Sequence, residues 1–106
     1  MDIMGLMKKA QAVQAKMKDV QEELERAEVE GESGGGLVKV KLNAKGQMKA
    51  IAIDPSLLKP EDAEMVEDLI IAAHSDARAK ADRLTEEKMA AVTAGLPLPP
   101  GMKLPF

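Results

Sequence analysis

The chain reads as an α+β protein in the order α-β-β-β-α, a three-stranded antiparallel sheet with two long helices, expected to pair with itself as a homodimer. Three observations predict this. Apolar residues recur at alternating spacings of three and four through the first quarter of the chain; a glycine-punctuated run with a period of two fills the middle; a proline-opened, alanine-rich helical pattern follows.

The first element carries Ile3, Leu6, Ala10, Val13, Met17, Val20, Leu24 and Ala27 at the a/d spacing of a coiled coil, with charged residues between them. A helix is predicted over residues 3–27. At 1.5 Å per residue it runs roughly 35–40 Å, too long to rest wholly on a small sheet, so part of it is expected to meet another helix. Strands are predicted over residues 28–54 as a meander. Val29 to Glu32 opens the first, and Gly34-Gly35-Gly36 bends the chain. Leu37 to Asn43 then alternates, with Val38, Val40 and Leu42 on one face and Lys39, Lys41 and Asn43 on the other. Gly46 supplies a positive φ to the turn that begins at Asn43. Met48 to Asp54 forms the third strand, although Ala50 to Ile53 alternate poorly, and Pro55 ends it.

Pro60 opens a second helix, predicted over 60–92, with Glu61, Asp62 and Glu64 at the positive end of its dipole. Its apolar side, Val66, Ile70, Ala73, Ala77, Ala81 and Leu84, is bulky early and alanine-rich later. The first half is expected to cover the sheet, the second to project or meet a partner. Gly95 ends the helix, and residues 95–106, with four prolines, read as an extended tail.

At 106 residues the chain is a single domain, 1–106. Its one aromatic, Phe106, and its many alanines leave a modest aliphatic core. Self-association is the expected remedy. The seam residues Leu6, Ala10, Val13 and Met17 and the strand residues Val38, Val40 and Leu42 are the candidate dimer contacts. With no cysteine there is no disulfide or thiolate chemistry. Nothing reads as a signal peptide or a membrane span, so a cytoplasmic protein with no membrane partner is expected.

An enzyme is not expected. His74 is the sole histidine, and neither Asp68 nor Asp76 shares its helix face. A zinc site would need carboxylates for nearly all its ligands, so no metal and no cofactor are expected. The acidic residues after Pro60 suit a helix N-terminus, and the triple glycine lacks the pattern of a phosphate-binding loop. No small-molecule substrate is indicated.

Basic residues form three groups despite a net charge of −3. Lys39, Lys41, Lys45 and Lys49 fall in a span, Leu37 to Lys49, that holds no acid; Arg78, Lys80, Arg83 and Lys88 lie on the second helix; Lys8, Lys9, Lys16 and Lys18 lie on the first. Converging lysines and arginines are what phosphate contacts require, although an ordinary solvated sheet face also accounts for the first group. No aromatic platform exists for stacking bases. Lys8, Lys9, Lys16, Lys18, Lys39, Lys41, Lys45, Lys49, Arg78, Lys80 and Arg83 are the candidate nucleic-acid contacts. The reading from another class is a structural or adaptor protein whose sheet and helical seam bind a protein.

Ordered segments along the whole chain carry a family resemblance. Met7-Lys-Lys-Ala-Gln11, Gln21-Glu-Glu-Leu24, Val29-Glu-Gly31, Gly34-Gly-Gly-Leu-Val-Lys-Val40 and Ile53-Asp-Pro-Ser-Leu57 resemble the YbaB/EbfC family of bacterial nucleoid-associated proteins. So do Glu64-Met-Val-Glu-Asp-Leu-Ile70 and the ending Gly95-Leu-Pro-Leu-Pro-Pro-Gly-Met102. The resemblance implies a homodimer with projecting helices that binds double-stranded DNA in the nucleoid, alters its conformation and influences gene expression. It supplies no catalytic motif. Two sites depart from the family pattern: His74 replaces a usual asparagine, and Ala44-Lys45-Gly46 replaces the usual glycine-bearing turn.

Overall fold

The computed structural model describes residues 3–93. Helix α1 spans Ile3–Arg26, strands β1, β2 and β3 span Glu28–Ser33, Val38–Asn43 and Met48–Ile53, and helix α2 spans Ala63–Thr93. The order is α-β-β-β-α as expected. Short 3-10 turns fill Gly34–Gly36, Pro55–Leu57 and Pro60–Asp62, so Pro60 opens a turn that leads into α2 and does not start the helix itself. The tail expected over 95–106 lies outside the described residues.

The sheet is antiparallel in the order β1-β2-β3. The three glycines of the first connection and Gly46 of the second all take positive φ, which explains why glycine stands at those turns. A bulge between Lys41 and Leu42 pairs Lys41 with Ala50 but Leu42 with Met48, leaving Lys49 as the extra residue of β3.

The period-two pattern of β2 places Val38, Val40 and Leu42 at 0% exposure beneath α2, against Leu57, Ala73 and Ala77. Val29, Ile53, Val66, Leu69 and Ile70 pack around them. Small residues set the spacing here. A Cβ on Gly31 would overlap the backbone of Ala73 and Ala77, so glycine on β1 facing alanines on α2 is what lets helix and sheet approach. This corrects the expectation that Val38, Val40 and Leu42 form a dimer contact. They are the protomer's own core, and no surface of theirs reaches a partner.

A second cluster joins the two helices. Val20 and Leu24 of α1 bury against Val92 and Ala44, with Met17, Ala27, Leu84 and Met89 around them. The later half of α2 thus meets α1 of the same protomer. The β2–β3 turn wedges between them: the Ala44 N–H donates to the Leu24 and Ala27 carbonyls, and the Thr85 hydroxyl donates to the Ala44 carbonyl. Asn43, expected on the solvent face, is fully buried. Its amide nitrogen donates to the Glu25 carbonyl and to Gln47 Oε1, while its Oδ1 accepts from the Lys45 and Gln47 N–H groups.

Candidate nucleic-acid interface

The helical seam of α1 divides in two. Met17, Val20 and Leu24 are covered, whereas Ile3 is 69% and Leu6 is 54% exposed, with Ala10 exposed and Val13 half-buried. The dividing point is the end of α2. The two helices run antiparallel, because Glu23 pairs with Lys88 at 3.0 Å while Val20 and Lys16 border Val92. Residues before about Lys16 therefore extend past the last described turn of α2 as an arm.

That arm is basic. From residue 3 to residue 18 there are four lysines, Lys8, Lys9, Lys16 and Lys18, and no acidic residue; Asp19, Glu22, Glu23 and Glu25 all lie in the packed half. All four lysines are exposed, and none makes an ion pair among the described residues. At about 100° per residue, Lys9 and Lys16 share one flank of the seam, Lys18 lies toward the other and Lys8 lies opposite. The charge encircles the arm over an axial length of about 15 Å, which corresponds to roughly four phosphates of one DNA strand. The missed signal was the acid-free span itself, which the sequence displays between Asp2 and Asp19.

The basic hairpin fares differently. Strand register sets Glu30 opposite Lys41 and Glu32 opposite Lys39, so Lys39 and Lys41 share their open face with acidic residues of β1. Lys41 Nζ lies 3.6 Å from Glu28, and Lys45 Nζ bonds Glu25 at 3.1 Å. This is the solvated, charge-balanced sheet face. Lys49 stays exposed at the bulge.

On α2, Arg78 pairs with Asp82 at 3.1 Å. Lys80 Nζ donates to the Glu30 carbonyl at 2.8 Å and pairs with Asp76 at 3.5 Å. Asp76 in turn accepts from the Glu32 N–H at 3.1 Å. That backbone bond, assisted by Lys80, holds the Asp76 carboxyl below its usual pKa despite partial desolvation. Lys80 and Asp76 thus fasten α2 to β1. Arg83 is exposed with no ion pair among the described residues. Of the residues singled out, the structure gathers Lys8, Lys9, Lys16 and Lys18 on the acid-free N-terminal part of α1 and draws Lys41, Lys45, Arg78 and Lys80 into partnerships within the protomer.

His74 is half-buried on α2. Among the described residues no three His, Cys, Asp or Glu side chains group as metal ligands, and no helix is long and apolar enough to cross a membrane.

The model of the YbaB/EbfC DNA-binding family matches residues 1–96. The chain belongs to the YbaB/EbfC family. It is 63% identical to a nucleoid-associated protein of Methylocella silvestris, over 99% of this chain and 98% of that relative. It is 58% identical, with the same coverage, to a nucleoid-associated protein of Agrobacterium fabrum. The crystal structure of an uncharacterized protein from Helicobacter pylori superposes with a TM-score of 0.76 at 25% identity, covering 90% of this chain and 99% of that one. In this YbaB/EbfC member, then, four exposed lysines without an ion pair among the described residues lie along the N-terminal part of α1, with Lys39, Lys49 and Arg83 exposed and without one elsewhere.

Proposed function

We propose that the chain binds duplex DNA through its phosphates, with low sequence specificity, as a nucleoid-associated protein that alters DNA conformation. The observation that carries this reading is the N-terminal part of α1: no acid among residues 3–18 and four exposed lysines, Lys8 and Lys9 on the projecting arm and Lys16 and Lys18 at its base. A helix with its side chains is about 10–12 Å across, close to the ~12 Å width of the major groove. The arm can therefore lie along the groove or across the backbone. Lysines present point charges and no planar fork for reading bases, which suits contact with phosphates.

A homodimer presents two such arms to one duplex or to two, which is how bending or bridging arises. The surface that supports pairing is β3, in place of β2. Met48 and Ile51 remain 48% and 44% exposed although their register partners Leu42 and Val40 are fully buried. Among the described residues the outer edge of β3 also has no neighbouring strand. The same edge supports the reading as a protein-binding adaptor, so DNA binding is tested directly. Titration of a random-sequence duplex of about 30 base pairs at two salt concentrations is expected to give a steep salt dependence, near 0.9 in log–log slope per phosphate contacted. Four contacts per arm correspond to a slope of about 3.6 for each arm engaged. No binding at low salt by an intact dimer returns the reading to the adaptor.

A further inference from the structure

The bulky apolar residues that α1 leaves exposed all stand at its start. Ile3, Met4, Leu6 and Met7 fall within its first turn and a half, and each is more than half exposed. Beyond them the exposed positions of α1 carry only alanine, glutamine and charged residues. At about 100° per residue the four cover a continuous arc of roughly 160°, from Leu6 through Ile3 and Met7 to Met4. Lys9 and Lys8 stand just beyond the two edges of that arc, three and four residues further on. The tip of α1 is an apolar point with a cationic collar.

A contiguous exposed apolar patch marks a contact site, and the collar narrows the partner. Residues 3–18 hold no acid, so a second copy's arm brings only like charge to the tip, whereas a polyanion is attracted to it. Shape then separates two polyanionic surfaces. A helix that lies on an anionic lipid surface carries bulky apolar residues along its length, and here they end at Met7 until the packed seam begins. A base stack takes a point. Leucine, isoleucine and methionine side chains enter between bases and unstack a step, while flanking cations hold the phosphates.

We propose that Ile3, Met4, Leu6 and Met7 form a wedge that enters the base stack of duplex DNA from the minor groove and kinks it, with Lys8 and Lys9 on the neighbouring phosphates. This rests on the DNA-binding reading above and adds how the duplex changes shape. The minor groove is about 6 Å wide against about 10–12 Å for a helix. Entry therefore opens the groove, and the duplex bends toward the major groove by about 20–90°. Pyrimidine–purine steps open most easily, so the favoured sites differ in stiffness and not in the base edges they present.

The test uses the full chain and a duplex with aminopurine at a central TA step and a fluorophore pair on its ends. It is compared with a variant carrying Ile3→Ala, Met4→Ala, Leu6→Ala and Met7→Ala, which keeps every lysine and a strong helix former at each position. The unaltered chain is expected to raise the aminopurine emission and shorten the end-to-end distance. The variant is expected to bind with the same salt slope and to lose both changes. Binding by the unaltered chain with neither change overturns the wedge and leaves DNA binding standing; no binding at low salt overturns both. Equal unstacking by the variant also overturns the wedge. So does dissociation of a protomer pair in the variant, which assigns the tip to a second copy. Binding to phosphatidylglycerol vesicles that the variant loses, without unstacking of the duplex, overturns it in favour of a lipid surface.

Discussion

Single residues in this fold act through contacts that are easy to state. Gly31 is held by steric necessity, since a Cβ there overlaps the Ala73 and Ala77 backbone. Gly31→Ala is expected to destabilise by about 1–3 kcal/mol, as overpacking does, read as a lowered denaturation midpoint at unchanged m-value. Asn43 satisfies two N–H groups and one carbonyl from full burial. Asn43→Ala strands those groups and is expected to cost about 1–3 kcal/mol in the same assay. Asp76 bears on pH. Its folded pKa is lowered, chiefly by the Glu32 N–H, so its contribution is present above the usual Asp pKa and is lost as pH falls through the folded value. Wild type and Asp76→Asn are therefore expected to differ in thermal stability at neutral pH and to converge in acid. Convergence at neutral pH instead removes the bond from the account. Asn43 was not legible in the sequence. Its partners come from its own turn and from the end of α1, and alternation alone assigned it to solvent.

Elements carry a different lesson, because α1 is one helix with two environments. Its a/d spacing was plain in the sequence, yet spacing reports which residues share a face and not how far the cover extends. That depended on where α2 ends and on its antiparallel course. Leu24, 2% exposed, anchors the packed half. Leu24→Ala is expected to cost about 2–5 kcal/mol and to release α1 first, visible as faster amide exchange in α1 while Val38 to Leu42 keep theirs. The charges of the hairpin could not be weighed from their own span for a related reason. Residues 37–49 hold no acid, but their neighbours across the sheet do, and the period-two placement of Glu28, Glu30 and Glu32 on β1 was available once the glycine turn was accepted. Hence Lys8→Glu with Lys9→Glu is expected to weaken DNA binding tenfold or more at low salt, on the order of the loss from two phosphate contacts. Lys39→Glu with Lys41→Glu is expected to change it far less. The reverse ranking in the duplex titration sinks the assignment to α1.

At the scale of the whole molecule, two apolar clusters share one spine. Helix α2 covers the sheet with its first half and holds α1 with its second, so the arm is mounted on the same element that closes the core. Fold class and element order were legible because each element has its own period and its own punctuation. What covers the sheet was not, because the apolar face of β2 is the same pattern whether its cover is α2 or a partner. Met48 and Ile51 on β3 are among the large apolar residues that folding within one chain leaves exposed, with Leu58, Met65 and Ile71 and those of the α1 arm.

The wedge of Ala44 between Leu24 and Thr85 also has a mechanical meaning. It sits at the root of α1 and acts as a fulcrum, with about 25 Å of helix from Val20 to Ile3 as the lever beyond it. A tilt of about ten degrees at that root sweeps the tip by about 4 Å, more than the ~3.4 Å step between successive phosphates of a strand. A rotation of that size at the root is enough to shift the lysines of α1 by one phosphate along any duplex they hold.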